Sequence, residues 1–344
     1  MLRLICAFVL CLWAVDAPAC DLCGCYTPQL ETMHAREVGA MAGEDFLRGW
    51  YAGIAEQFTH FGTLQFNGRE VANPAAQFLD SSVTQLVAGY SVTPHFAIQL
   101  NVPFIYREFR RPEAFRTNDG DIGGLGDASL LAKIVLWHHE WTPLREFDVN
   151  GKNPVAIDHD PDFTASLIGL LGVKFPTGAT TRLKEEFHET QTPGAPESGI
   201  HGHDLTLGSG SYDAVFGGQT SLRYKSCFAE ADAQFTWRSE GAHDYRFAND
   251  VSWSGGPGVY VGRRRDVVVG CQCAISGEHK DVDTFRDAPA EDTGVTSVFV
   301  GPRIIASRNH VSGEIAAEFP VLIDNTALQI VPDYRLRASV ALSW

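Results

Sequence analysis

From residue 48 onward the chain repeats one pattern: segments of about ten residues in which alternate side chains are apolar, separated by turn signals or polar stretches. The stretch FAIQLNVPFIYR, residues 96–107, shows it most clearly. Phe96, Ile98, Leu100, Val102, Phe104 and Tyr106 occupy every second position, and the residues between them are mostly polar or small. An extended strand sends alternate side chains to opposite faces, so this segment has one apolar face and one mixed face.

The same alternation predicts twelve strands: Trp50–Thr59, Val83–Val92, Phe96–Arg107, Asp127–Leu136, Phe163–Phe175, Tyr212–Leu222, Phe228–Trp237, Val251–Val261, Val267–Ile275, Val295–Ile305, Val311–Phe319 and Tyr334–Trp344. The eighth is the least regular, because Pro257 and neighbouring glycines interrupt it. Connections after strands 2, 6, 8 and 10 are short. Those after strands 1, 3, 5, 7, 9 and 11 are longer and polar, including 108–125 and 177–206, and the connection after strand 4, about 138–162, breaks the rule. Short turns on one side and long loops on the other are a property of outer-membrane barrels.

A soluble sandwich also alternates. Three features favour lipid on the apolar face. Charged residues fall in mid-strand on the opposite face: Arg107, Lys133, Lys174, Glu230, Asp232, Glu314, Glu318, Arg335 and Arg337. Trp50, Tyr90, Tyr106, Trp137, Tyr212, Trp237, Tyr334 and Trp344 gather near strand ends, where membrane proteins carry aromatic belts. The chain also ends on an aromatic residue, Trp344, the kind of terminus that barrel-assembly machinery reads. The expectation is an all-β, antiparallel transmembrane barrel closed on itself, because an open sheet edge has no partner in hydrocarbon.

Composition fits this reading. The 344 residues are 44% hydrophobic and 20% charged, and no apolar run of helix-spanning length follows the N-terminus. A net charge of −15 argues against a nucleic-acid partner. Arg3, the apolar run 4–15 and Ala17-Pro18-Ala19 before Cys20 form an export signal. The predicted organisation is therefore a signal peptide over 1–19, a cysteine-rich segment over 20–47 and an outer-membrane barrel over 48–344.

Three motifs give this chain a resemblance. GLGDASLLAKI (124–134), GVKFPTG (172–178) and LGSGSYDAVFGG (207–218) resemble signatures of the MetA-pathway phenol-degradation family of outer-membrane proteins, which is similar to the channel that exports functional amyloid subunits. The resemblance spans most of 48–344 and implies a barrel of about twelve strands with a transport role. The short stretch ahead of the first strand departs from the long periplasmic extension of the amyloid exporter. In that exporter a helix plugs the pore. By resemblance, the segment 27–43, which lacks strand alternation and fits a short helix opened by Thr27-Pro28, sits inside the barrel; otherwise it is a periplasmic tail.

Candidate chemistry is sparse. Cys20, Cys23 and Cys25 in CDLCGCY offer three soft ligands for Zn or Cu, with a fourth from His34 or a neighbouring subunit. The same spacing also suits a disulfide with one thiol left over, and Cys20 at the cleavage site is a position for lipid attachment. His201 and His203 in HGHDLTLG lie two apart, so on an extended segment they share one side and could bind a metal; a polar surface loop is the alternative. Cys271 and Cys273 fall on the apolar face and read as small hydrophobes. No nucleophile elbow, metalloprotease motif, phosphate-binding loop or dinucleotide fingerprint occurs, so the chain reads as a transporter rather than an enzyme. Its expected partners are outer-membrane lipid, the assembly machinery and a small-molecule solute that diffuses past the mid-strand charges, with homo-oligomerisation left open. A metal-binding barrel is the alternative.

Overall fold

The computed structural model describes residues 49–141, 161–187, 193–264 and 267–344. The N-terminal signal, the cysteine cluster Cys20, Cys23 and Cys25, the segment 27–43 and most of the connection after the fourth strand lie outside the described residues.

Twelve long strands follow one another around the wall: β1 Gly49–Phe66, β2 Phe78–Thr93, β3 Phe96–Glu113, β4 Ser129–Trp141, β5 Phe163–Lys174, β6 Asp213–Tyr224, β7 Cys227–Trp237, β8 Asp250–Arg264, β9 Val267–Lys280, β10 Val295–Arg308, β11 Val311–Asn325 and β12 Leu328–Ser343. Each pairs antiparallel with its neighbours, and β12 closes on β1 from Tyr51↔Ser343 to Phe66↔Leu328. Two further main-chain bonds tie the ends, Trp50 N to Trp344 O at 3.1 Å and Trp344 N to Trp50 O at 3.0 Å. Closure leaves no unpaired edge, which is what hydrocarbon requires.

The alternation places side chains as expected. Leu86, Ile98, Leu100, Phe104, Leu130, Ile134, Leu171, Phe216, Ile315 and Val340 are exposed on the outer wall, while Gln85, Gln99, Asn101 and Lys133 are buried inside. Exposed large apolar side chains on this scale mark a surface wetted by lipid. Trp50 and Tyr90 pack with ring centroids 4.9 Å apart beside Trp344, forming part of one aromatic girdle. Cys271 and Cys273 face outward with Ile275. One outward polar group stands out against the belt: the Glu56 carboxylate accepts hydrogen bonds from the Ser82 and Thr84 hydroxyls.

Two expected loops are strands. Over 108–125, β3 continues to Glu113 and a second arm, Arg116–Leu125, returns beside it from Glu113↔Arg116 to Phe104↔Leu125. After the eleventh strand, β11 runs to Asn325 and β12 starts at Leu328, leaving a two-residue turn, Thr326-Ala327, instead of a long connection. In the first, the outer face meets water beyond the membrane, so Glu108 and Arg110 replace the apolar residues and the lipid signature fades while pairing persists. In the second, register shifts opposite Pro320 and Pro332 break the period of two although the residues, Val321 and Leu322 among them, stay apolar. Cys227 opens β7 on the outer face.

Candidate functional site: a capped lumen

The inward positions build the site. Arg107, Lys133, Lys174, Glu230, Glu314, Glu318, Arg335 and Arg337 are all buried inside the barrel, and Asp232, with the same parity, is half-buried and accepts a hydrogen bond from Ser254 Oγ at 2.6 Å. The charges lie among partners. Arg337 Nη1 is 3.5 Å from Glu318 Oε1, and Arg335 lies 3.9 Å from Glu318 and 3.4 Å from Glu278. Arg303 meets Glu314 at 2.9 Å. Arg335 also stacks over the Phe299 ring at 4.0 Å. This charged arc occupies β9 to β12. A second arc, on β1, β3 and β4, is built mainly of amides and hydroxyls beside Lys133, with Arg107 farther along β3 turned to the connection after β5: Tyr51 Oη and Lys133 Nζ donate to Gln99 Oε1 at 3.0 and 2.5 Å, Gln99 Nε2 donates to Asn101 Oδ1 at 2.6 Å, and Asn101 Nδ2 donates to Ser129 Oγ at 3.1 Å. The lumen therefore has a charged side and an amide side.

One end of the lumen is capped. The connection between β5 and β6 enters the barrel and buries Leu183, Ile200, Leu205 and Leu207. The first three pack with Phe61, Leu79, Phe109, Val295 and Ile330 from the wall, and with Tyr245 and Phe247 from the connection after β7. Leu207 reaches deeper, against Val83 and Ile105. A small sheet of Tyr245–Arg246, Asp283–Phe285 and Ala288–Ala290 joins the loops beside it. Burial of these apolar side chains stabilises the cap by roughly 1.5–3 kcal/mol each.

Polar latches fix the cap. Fully buried Arg107 donates to the main-chain carbonyls of Asp204 and Thr206, the latter at 2.7 Å. Arg111 bonds Glu185 at 2.5 Å. Lys174 lies 3.0 Å from Asp127 and 2.7 Å from Asp213, and donates to Ser209 Oγ at 2.8 Å. Asp127 also accepts from the Gly178 and Ser209 main chain at 2.9 and 2.8 Å. Burial alone would raise its pKa, but the Lys174 charge and these donors hold it below the usual carboxylate range. Arg238 extends the network, meeting Asp213 at 3.1 Å and Asp250 at a close contact.

His201 and His203 lie on a helical turn, Gly202–Leu205 with its N-cap His201, rather than on the extended segment expected, and their rings are parallel, 5.7 Å apart. They face carboxylates. His203 Nδ1 is 3.1 Å from Glu186 and Nε2 is 3.2 Å from Asp204, while His201 Nε2 is 3.1 Å from Asp292. Burial would lower the His203 pKa, yet Asp204 and Glu186 push it well above the ordinary imidazole value. Burial would raise Asp204, yet His203 draws it down to about 2. No group of three or more His, Cys, Asp or Glu suited to a metal occurs among the described residues.

Sequence reasoning missed Asp127, Asp213, Arg238, Glu278 and Arg303 as parts of the network. Parity could have found Arg303, which shares a face with buried Ile305. Asp127 and Asp213 carry inward parity in their predicted strands, with Lys133 and Val215, while Glu278 and Arg238 lie beyond the predicted ends of theirs.

No family model matches the chain, and no curated protein matches it. Among solved structures it is similar to an outer membrane channel from Pseudomonas putida F1, with 12% identity, a TM-score of 0.52, and coverage of 86% of this chain and 96% of that one. It also matches the beta domain of the Bordetella autotransporter BrkA at 11% identity and TM-score 0.45, covering 86% and 100%, and the P. putida toluene transporter TodX at 9% and 0.34, covering 89% and 92%. The first likeness supports the fold, and with the closed wall and apolar belt it shows what this chain is: a twelve-stranded β-barrel of the outer membrane.

Proposed function

We propose that the protein is an outer-membrane channel for small solutes, apolar or aromatic in character, that cross by diffusion through the lumen when the cap between β5 and β6 yields. The observation that carries this is the lumen itself. A barrel used only as an anchor has no need of an inner wall with one charged arc and one amide arc, nor of a segment folded in and latched at one end. The side chains Glu318, Arg335, Arg337, Arg303 and Glu314 would set the field that selects among solutes. The resemblance of GLGDASLLAKI, GVKFPTG and LGSGSYDAVFGG to the phenol-degradation family supports aromatic cargo. This is a transport role rather than a catalytic one.

Planar-bilayer recording of the refolded chain tests it. Discrete conductance steps are expected, and an uncharged aromatic solute added to one side is expected to lower them by occupying the lumen. A protein that inserts and passes no current at any pH or voltage would overturn the proposal. The same recording on a chain lacking its first 45 residues tests the plug expected at 27–43: unchanged current would remove it.

A further inference from the structure

A carboxylate on the lipid-facing side of a barrel wall is costly, and such a group calls for a partner. Glu56 shares its face of β1 with the exposed Trp50 and Ile54. Six residues separate it from Trp50. At about 3.3 Å per residue and a tilt of about 40°, it lies roughly 15 Å above the Trp50–Tyr90 girdle, inside an apolar band about 25 Å tall. Its cross-strand partner on β2 is Thr84, and the next outward residue of β2 is Ser82, beside Tyr106 of β3. The Ser82 hydroxyl donates to Oε1 of Glu56 and the Thr84 hydroxyl to Oε2. The face around this polar centre is apolar: Ile54, Leu86, Phe104, Tyr106 and Leu336 are exposed, and Ala338 is the partner of Glu56 on β12.

The chain satisfies only part of the carboxylate. Two carboxylate oxygens accept about four hydrogen bonds between them, and Ser82 and Thr84 give one to each. An acyl chain brings neither a donor nor a dipole to the remaining sites, whereas another protein surface can. Copies of one barrel enter the membrane in one orientation, so two that touch side by side meet at equal depth. Other walls offer Glu56 little. Their outward residues include Leu130, Ala132 and Ile134 on β4 and Ile315, Ala317 and Phe319 on β11, and the Thr220 hydroxyl on β6 is already given to the Ser166 carbonyl.

The patch finds its complement in itself. A two-fold axis along the membrane normal, centred between β1 and β2, sets β1 of one copy against β2 of the other. Glu56 of each copy then lies over Ser82 and Thr84 of the other, the two carboxylates stay apart, and hydroxyls and carboxylates alternate about the axis. Within a bilayer apolar surface gains little by contact, and association is driven by close packing and by polar groups that find each other.

We propose that the outer face of β1 and β2, centred on Glu56, Ser82 and Thr84, is the contact surface of a homodimer whose two-fold axis stands along the membrane normal. The contact is independent of the channel reading, because it uses the outer wall and leaves each lumen separate.

Photo-crosslinking of the full-length protein in cells tests it. With p-benzoylphenylalanine in place of Leu86, exposed beside the patch, a dimer-sized band is expected whose crosslinked peptide maps to β1 or β2 of a second copy. The same group in place of Leu171, exposed on β5, is expected to give no such band. Glu56→Leu combined with Ser82→Ala and Thr84→Val makes the face apolar throughout. This variant should lower the Leu86 crosslinked fraction at least tenfold, while heat-modifiable migration on gels reports an intact barrel. If it fails to fold, the contrast between the Leu86 and Leu171 positions in the otherwise native protein still decides. An equal crosslinked fraction in the folded apolar variant, equal bands from the two positions, or a Leu86 adduct with lipid or a different protein only would overturn the dimer.

Discussion

Arg107 on β3 donates to the main-chain carbonyl of Thr206, 2.7 Å away and 99 residues later in the chain, and so fastens the cap to the wall from inside the barrel. A guanidinium with no exposure to water holds this contact, together with the Asp204 carbonyl. Arg107→Ala strands buried carbonyls and is expected to destabilise the cap by about 2–4 kcal/mol. Single-channel recording should show longer or larger openings than in the parent, and Arg107→Lys should fall between the two.

Asp213 sits between Lys174 and Arg238 at 2.7 and 3.1 Å. Removing one acid from a buried network leaves two cations short of a counter-charge, which typically costs about 3–5 kcal/mol. Asp213→Ala is therefore expected to lower the unfolding midpoint in detergent more than any single change in the solvent-facing pair Arg110–Asp119, which water screens.

The histidine cluster gives the cap a pH window. His203 has its folded pKa raised, so its contribution is fully present below the ordinary imidazole value and is lost as pH rises through the raised one. Asp204 is drawn from 3.8 to about 2, so its contribution, about 2 kcal/mol, is present above 3.8 and is lost as pH falls through about 2. Conductance is expected to be lowest between these limits and to rise on both sides. His203→Leu should abolish the alkaline rise; a profile identical to the parent's would contradict the assignment.

Glu318 faces both Arg335 and Arg337, at 3.9 and 3.5 Å. Glu318→Gln removes the shared counter-charge from the charged arc. The expected outcome is a shift of ion selectivity towards anions, read as a change in reversal potential under a salt gradient.

Adjacent positions on β3 test the wall. Leu100 is exposed to lipid, whereas Gln99 is buried in the lumen. Leu100→Arg should cost about 2–4 kcal/mol of folding free energy in vesicles if it lies near the midplane. Gln99→Glu should cost less, because Tyr51 and Lys133 already donate to that position.

Much of this was legible in the sequence. The period-2 pattern placed all twelve strands and told the lipid-facing Leu100 from the lumenal Asn101, because side-chain direction in a strand depends only on parity. Strand ends were less legible. At Glu108 and Arg110 the outer face passes from lipid to water, and alternation of polarity stops although pairing to Arg116–Leu125 continues. The cap was not legible at all. Leu183, Ile200, Leu205 and Leu207 are scattered apolar residues in a polar stretch, without period, and nothing local distinguishes a loop in water from one folded into a barrel.

By itself the sequence determined which side of each strand meets hydrocarbon, since that choice is made residue by residue through transfer free energy. Tertiary structure alone decided that His203 lies between two acids and that Arg107 holds the carbonyls of Asp204 and Thr206. Each of these joins residues far apart along the chain, and their meeting depends on closure of the whole cylinder.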